Sequence, residues 1–339
     1  MRLAQLASHI PPARIGAEEI IRAAGGSPAE ARVFERMFGL EQVAAVPEGE
    51  TLAQQFDHVL GALAAQHSGA LPDALIYVHG QPLQYAAGQS PVAALCASQP
   101  LLAGITRRYE VDQYNCGGLF WALDLARTLL RTKLARAVLV LGGDSHIGLP
   151  LGDRYVPGCT LMGDAFCGLI LDQAPGGVRV GEVALCTHPR FARGRAGTTA
   201  EMGDFFAAHG GIVRQSLSRI GFDWDSTSPL LPHNVNRLAW QMFCRETGLA
   251  PERLRLSLLP EIGHCYTSDP FLLLKRELPA LGAGQTCAIL SIGMGGYAGA
   301  APISRSPQDA RPDRTASSAT SSPALSEKEH AACSPLILS

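Results

Sequence analysis

Cys116 stands in Val111-Asp112-Gln113-Tyr114-Asn115-Cys116-Gly117-Gly118, directly ahead of a helical pattern over 119–131. A thiol at the first turn of a helix faces unpaired N–H groups and the positive end of the helix dipole. Both favour the thiolate, the form that attacks a carbonyl carbon. The two glycines that follow leave room for a substrate to approach the backbone. Two histidine segments lie far downstream. His233 sits in Leu231-Pro232-His233-Asn234-Val235-Asn236-Arg237, at a strand end feeding a helix. His264 sits in Glu261-Ile262-Gly263-His264-Cys265-Tyr266-Thr267-Ser268, a polar loop ahead of another helix. The chain has nine cysteines, and a free cysteine most often packs as a small hydrophobe. The helix-start position and the distant histidines are what single out Cys116 as a nucleophile.

Other motifs fail on context. Gly293-x-Gly295 with Gly299 is a poor nucleotide fingerprint, because no helix or ribose-binding acid follows it. Asp144-Ser145-His146 resembles a triad only as letters, since such groups must converge in space. His79 ends a predicted strand and reads as structural, and Cys167 inside a glycine bend reads as packing.

The elements that must position these groups are legible in outline. Apolar runs predict strands at 74–78, 137–141, 168–171 and 286–292. Helical periodicity predicts helices at 17–24, 52–66, 90–97, 119–132, 202–219, 235–247 and 269–277. This alternation predicts an α/β fold with helices on the faces of mixed sheets. Asp172-Gln173-Ala174-Pro175-Gly176-Gly177 reads as a turn between two halves, 1–172 and 173–304. Both halves close on a glycine-rich bend leading into an apolar strand, 161–171 and 291–303, which is compatible with a duplication or with ordinary glycine punctuation. From 305 onward Ser, Ala, Pro and charge dominate, and 305–339 reads as a disordered tail in which Leu336-Ile337-Leu338 has no evident dock.

At 339 residues, 47% hydrophobic and 17% charged, the chain can bury a large core. A net charge of −2 gives no basic footprint for nucleic acid. No segment approaches 18 uninterrupted apolar residues, and no apolar leader opens the chain, so a cytoplasmic protein with no membrane contact is expected. The cysteines are odd in number and dispersed, with no Cys-x-x-Cys pair, which argues against a disulfide framework or structural zinc.

Four motifs occur in order: Asn-Cys-Gly-Gly before a helix, Gly163-Asp164 before an apolar strand, Pro232-His233-x-x-Asn236-Arg237, and the Gly293-Met294-Gly295 turn. Together they resemble the β-ketoacyl-acyl-carrier-protein synthase III branch of the thiolase-fold condensing enzymes, over about residues 1–304. The resemblance implies a thiolase-like α/β fold of two duplicated βαβαβαββ halves in a five-layer αβαβα sandwich, and a homodimer. It implies that Cys116 holds an acyl group as a thioester. Backbone N–H groups of Cys116 and of Gly293-Met294-Gly295 form the oxyanion hole, His233 donates a hydrogen bond or shuttles a proton, and Asn236 braces the loop. It implies no cofactor: the substrate rides on the phosphopantetheine of an acyl carrier protein or on coenzyme A, and a malonyl thioester or a small molecule accepts the acyl group.

Two departures from the family pattern matter. Family members usually carry asparagine where this chain has His264, and histidine can donate, accept or become cationic. The site becomes Cys-His-His, able either to stabilise the enolate of a decarboxylating malonyl unit or to activate an alcohol or amine. Near the N-terminus the family's coenzyme A clamp carries a Trp and an Arg; here Val33 and Met37 occupy those positions, with Arg36 one place off. That shifts weight to a carrier protein, which Arg107-Arg108 could help to dock. The expected function is an acyltransferase of specialised, polyketide-like metabolism. A catalytically idle partner subunit of a condensing-enzyme heterodimer is the alternative. Pocket walls are expected from the loops 81–88 and 189–199.

Overall fold

Successive side chains of a strand point to opposite faces, so a strand apolar at every position is covered on both sides. In the computed structural model, which describes all residues except 67, 68, 70, 81–89 and 310–339, this rule sets the layers. Leu75, Tyr77, Leu139 and Leu141 face one way, onto Phe56, Val59 and Leu60 of the helix Leu52–Gln66 and Leu95 of the helix Pro91–Ser98. Their neighbours Ile76, Val78, Val138 and Val140 face the other way, onto Leu119 and Leu123 of Gly118–Arg131 and Phe271 and Leu274 of Asp269–Glu277. The second half repeats the pattern. Cys287, Ile289, Ala301 and Ile303 meet that same helix pair. Ala288, Leu290 and Ile292 face outward onto Val213 and Leu217 of Thr199–Arg219 and Trp240 and Phe243 of Arg237–Thr247. The result is helices, sheet, helices, sheet, helices, the five layers expected.

The sheet layers are joined. Hydrogen bonding runs in the order Leu230–Pro232, Thr286–Gly293, Tyr297–Arg305, Val178–Val180, Arg2–His9, Ala165–Asp172, Ala137–Asp144, Ala74–Val78, Arg107–Val111, with Ala184–Thr187 also on Tyr297–Arg305. Val178–Val180 bridges the halves, pairing Arg2–His9 on one side and Tyr297–Arg305 on the other. Ala74–Val78 is parallel to both Arg107–Val111 and Ala137–Asp144, and Leu230–Pro232 is parallel to Thr286–Gly293. The carboxyl ends of three of these strands, at Val111, Pro232 and Gly293, lead into the Cys116, His233 and Met294 segments. Such ends are where α/β sheets place ligands.

Met1–Asp309 forms one compact unit, and the predicted break after Asp172 is a turn with Gly176 at φ +72° and Gly177 at φ +68°. The expected tail begins too early: Arg305 ends the strand Tyr297–Arg305, and Pro307–Asp309 forms a 3₁₀ turn. Residues 310–339, with Cys333 and Leu336-Ile337-Leu338, lie outside the described residues, as does the loop 81–88. The eight described cysteines are all free and buried. Among the described residues no helix is long and apolar enough to cross a membrane.

Candidate active site

The Cys116 corner is strained. Tyr114 and Asn115 are consecutive non-glycine residues at φ +77° and +48°, a left-handed pair that costs on the order of 1–2 kcal/mol per residue. The neighbours fix it: the Tyr114 hydroxyl donates to Cys186 O at 2.9 Å and its ring lies 4.8 Å from that of Tyr297. The glycines that follow serve packing rather than substrate approach. A Cβ on Gly117 would come within 2.8 Å of the Tyr114 ring, and one on Gly118 within 2.9 Å of Val78. They let the start of the helix Gly118–Arg131 press onto the sheet, where Leu119 N–H donates to Thr267 Oγ1 at 2.8 Å.

His264 arrives from the other half through a close crossing of two loops. Its N–H donates to Leu161 O at 2.9 Å and its carbonyl accepts from Gly163 N–H at 2.8 Å. Gly163 and Gly263 permit this approach. A Cβ on Gly163 would lie 2.0 Å from Ile262 O, and Gly263, at φ +68° and ψ −152°, adopts a conformation essentially reserved for glycine. Asp164 anchors the crossing from beneath. Its buried carboxylate accepts from both Arg154 guanidinium nitrogens, from His146 Nδ1 and from Val46 N–H. Burial alone would raise the Asp164 carboxyl; the His146 and Arg154 hydrogen bonds more than reverse that and hold it below its usual range.

The crossing delivers His264 Nε2 to within 3.2 Å of Cys116 Sγ. On its far side His264 Nδ1–H donates to Asp269 Oδ2 at 2.5 Å. Asp269 is fully buried, opens the helix Asp269–Glu277, and also accepts from Asn234 N–H at 2.7 Å and Cys265 N–H at 2.8 Å. Burial works to lower the His264 imidazolium, but the charges of Cys116 and Asp269 overcome it and raise the group to about 10. The expected pair of Cys116 and His264 is thus brought together, with a third member, Asp269, that sequence reasoning missed. Its sequence signal was Ser268-Asp269-Pro270 five residues after His264, read only as a helix start.

His233 is buried 5.7 Å, ring centroid to centroid, from His264. Its Nδ1 accepts from Ile292 N–H at 3.4 Å, which fixes the proton on Nε2 and leaves Nε2–H as a donor to the cavity. Burial first, then the neighbouring His264 and His209, push this ring well below its ordinary value, so it is neutral at pH 7. Asn236 ties its segment down at both ends of its amide: Oδ1 caps the helix Arg237–Thr247 by accepting from Ala239 N–H at 2.7 Å, and Nδ2 donates to Cys159 O at 2.8 Å. Asn236→Ala loses the cap and strands a buried carbonyl. It should cost about 1–2 kcal/mol and lower the melting temperature by roughly 2–6 °C, measured by calorimetry.

The expected oxyanion donors are placed less simply. The Cys116 N–H donates to Asn115 Oδ1 at 2.9 Å, so it serves a substrate only when that amide turns aside. Gly293 packs against it, with room for no side chain: a Cβ there would lie 3.0 Å from Cys116 N. Gly295 and Gly296 turn at φ +102° and +78°, and Met294 lines the cavity.

That cavity has a volume of about 550 Å³ and is walled by Cys116, His233, His264, Phe38, Phe206 and Met162 among others. Arg195 of the predicted loop 189–199 also lines it. Val33 precedes the short π-helix Phe34–Phe38 and Met37 lies within it, and the two are 38% and 51% exposed; the Arg36 carbonyl accepts from Arg237 Nη2. Arg107 and Arg108 lie on the edge strand Arg107–Val111, where Arg108 Nε folds back onto Ile105 O at 2.7 Å. Asp144 and His146 do not converge: Asp144 accepts from Gly80 N–H and His146 contacts Asp164. His79 is paired with Glu110 at 3.1 Å, and Cys167 is in the core, its thiol pushed up to about 12 by burial.

No family model matches the chain. Curated β-ketoacyl-[acyl-carrier-protein] synthases III of Brucella canis and Brucella suis are 37% identical over 89 residues, 25% of this chain and 26% of the relatives' length. Solved structures match far more of it. The synthase III of Thermus thermophilus covers 90% of this chain and 99% of its own, with 19% identity and a TM-score of 0.73. ChlB3, described as an acyltransferase, covers 90% and 97%, with 21% identity and a TM-score of 0.74. OleA of Xanthomonas campestris, solved with lauric acid and lauroyl-CoA, covers 89% and 98%, with 16% identity and a TM-score of 0.74. The chain has the thiolase-like α/β fold of these proteins.

Proposed function

We propose that this thiolase-fold chain is an acyltransferase that loads an acyl group onto Cys116 and passes it to a hydroxyl or amine. The observation that carries the reading is His264, held between Cys116 Sγ at 3.2 Å and Asp269 Oδ2 at 2.5 Å. A decarboxylative condensation makes its carbon nucleophile by losing CO2 and needs only fixed hydrogen-bond donors, which an asparagine supplies. A nucleophile that must shed a proton needs a base, and a base held by a carboxylate is what this site contains.

The steps balance with the residues present. The Cys116 thiolate attacks the donor thioester carbonyl, and the oxyanion takes a hydrogen bond from His233 Nε2–H. Collapse breaks the donor C–S bond, and the departing thiolate takes the proton from His264 Nε2. With the charge on Cys116 gone, His264 is a neutral base, its Nδ1–H still on Asp269. The acceptor O–H or N–H gives its proton to Nε2 as the heteroatom attacks the acyl carbon. Collapse then expels the Cys116 thiolate and restores the ion pair with His264.

Val33 and Met37, where the resemblance leads one to expect a Trp and an Arg, favour a carrier-bound donor over free coenzyme A and a place in specialised metabolism. The test is to acylate the protein, then offer benzyl alcohol, benzylamine and malonyl thioester in turn. Ester or amide formation without CO2 release is expected. Carbon–carbon product with stoichiometric CO2, and no transfer to either heteroatom, would overturn the reading in favour of condensation.

A further inference from the structure

One buried titratable side chain in the cavity wall has no place in that cycle. His209 lies mid-way along the helix Thr199–Arg219, which presents Phe205, Phe206, Ala207, His209 and Gly210 to the cavity. The others are apolar or bare, so His209 is the single hydrogen-bonding side chain among them. It is 9% exposed, its ring makes no hydrogen bond to any of the described residues, and its Nε2 is enclosed without a partner among them. The ring is held edge-on to Trp240 at 5.2 Å and lies 5.8 Å from His233. His264 touches Cys116, His233 lies 5.7 Å from His264, and His209 lies 5.8 Å from His233.

A buried polar group left unpartnered is disfavoured and uncommon, and each that persists calls for an explanation. Trp240 gives the ring packing, but a leucine would pack there without the cost. We infer that His209 is a specificity-determining residue whose ring, turned about its Cβ–Cγ bond to bring a nitrogen to the cavity it lines, takes a hydroxyl or carbonyl oxygen of the substrate, placed several atoms from the reacting carbonyl. The inference rests on the acyl-enzyme reading above. Burial pushes His209 down to about 4, so the ring is neutral and can donate from one nitrogen or accept at the other. It therefore selects a neutral oxygen rather than a carboxylate or phosphate, on either the acyl group or the acceptor.

The experiment uses octanoyl thioesters hydroxylated at successive carbons, with octanoyl as reference, and reads loading of Cys116 by intact-protein mass spectrometry. Binding of the corresponding free acids is read by calorimetry, which needs no acylation. At one hydroxyl position loading and binding should improve by about 10-fold, the worth of one net hydrogen bond. His209→Leu should erase the preference, and His209→Gln, which keeps donor and acceptor, should retain part of it; circular dichroism checks that both fold. If loading is indifferent, transfer from acyl-Cys116 to propanol and to propane-1,3-diol assigns the oxygen to the acceptor when His209→Leu removes a preference for the diol. Preferences that are identical in wild type and His209→Leu, for loading, binding and transfer, overturn the inference. Binding selectivity lost in His209→Leu with no acylation in any protein would keep the subsite and overturn the acyl-enzyme reading instead.

Discussion

Cys116→Ala should abolish covalent loading and reduce acyl transfer by about 10⁴ to 10⁶-fold, the loss seen when a nucleophile is removed from a catalytic unit. Wild-type protein mixed with an acyl thioester should gain one acyl mass, and digestion should place it on Cys116. The specificity follows from environment. Cys159 also lines the cavity, but burial, reinforced by the neighbouring charge on Cys116, pushes its thiol up to about 12. Burial does the same to Cys167 and Cys287 and holds Cys265 well above the ordinary thiol range. Those groups stay protonated and inert at neutral pH. Cys116 alone among the described cysteines faces an imidazolium. An acyl mass that survives Cys116→Ala, or that maps to Cys159, would remove the basis for every later step.

His264→Asn should separate the two half-reactions. The asparagine can still donate to Cys116, yet cannot take a proton, so transfer should slow by about 10² to 10⁴-fold while loading falls far less. Asp269→Asn should reproduce most of the transfer defect, because it frees the imidazole to take the wrong tautomer and strips the cation of its partner. The pH dependence has a definite sign. The folded-state value of His264 is raised to about 10 from an ordinary 6.5. The ion pair therefore stabilises the protein fully below about 6.5, and that contribution is lost as pH rises through about 10. Loading by the wild type should fall off over the same upper range, as His264 loses the proton it gives to the departing thiolate. Stopped-flow loading and single-turnover transfer from pH 7 to 10.5 read both arms. Near-normal transfer by His264→Asn would show that His264 is only a hydrogen-bond donor, and the chain would then fit a condensing synthase better.

The parts of this molecule that were legible in sequence are those carried by local pattern. Apolar runs located Ala74–Val78 and Thr286–Gly293, and helical periodicity located Leu52–Gln66 and Asp269–Glu277 to within a residue. Arg2–His9 and Arg107–Val111 were not foreseen, and Tyr297–Arg305 was read only as an apolar strand without bounds after the 293–296 glycine bend. The first and last mix small and polar residues with apolar ones, and the second is an edge strand whose arginines face solvent. Cys116, His233 and His264 could be nominated because their residue types and flanks carry chemistry. Asp269 could not, since a carboxylate at a helix start is ordinary and its meaning comes from the loop that folds His264 back onto it. Gly117 and Gly118 were given the wrong reason for the same cause: what a missing Cβ avoids is visible only once the Tyr114 ring and Val78 are in place. His209 was passed over as one polar residue in a helix, with Trp240 and His233 distant in sequence.

The thiol and its base are separated by 148 residues, in different halves of the layered sandwich. Contacts of such long span form late, because chain closure must precede any reward. During synthesis Cys116 leaves the ribosome well before His264 and Asp269 exist to pair with it. At 5–20 residues per second that interval is about 7–30 s. Through it the thiol has no imidazolium beside it and no cavity around it. On the function proposed above, the docking of the second half supplies the base and the cavity together, and the completed fold is the activation step.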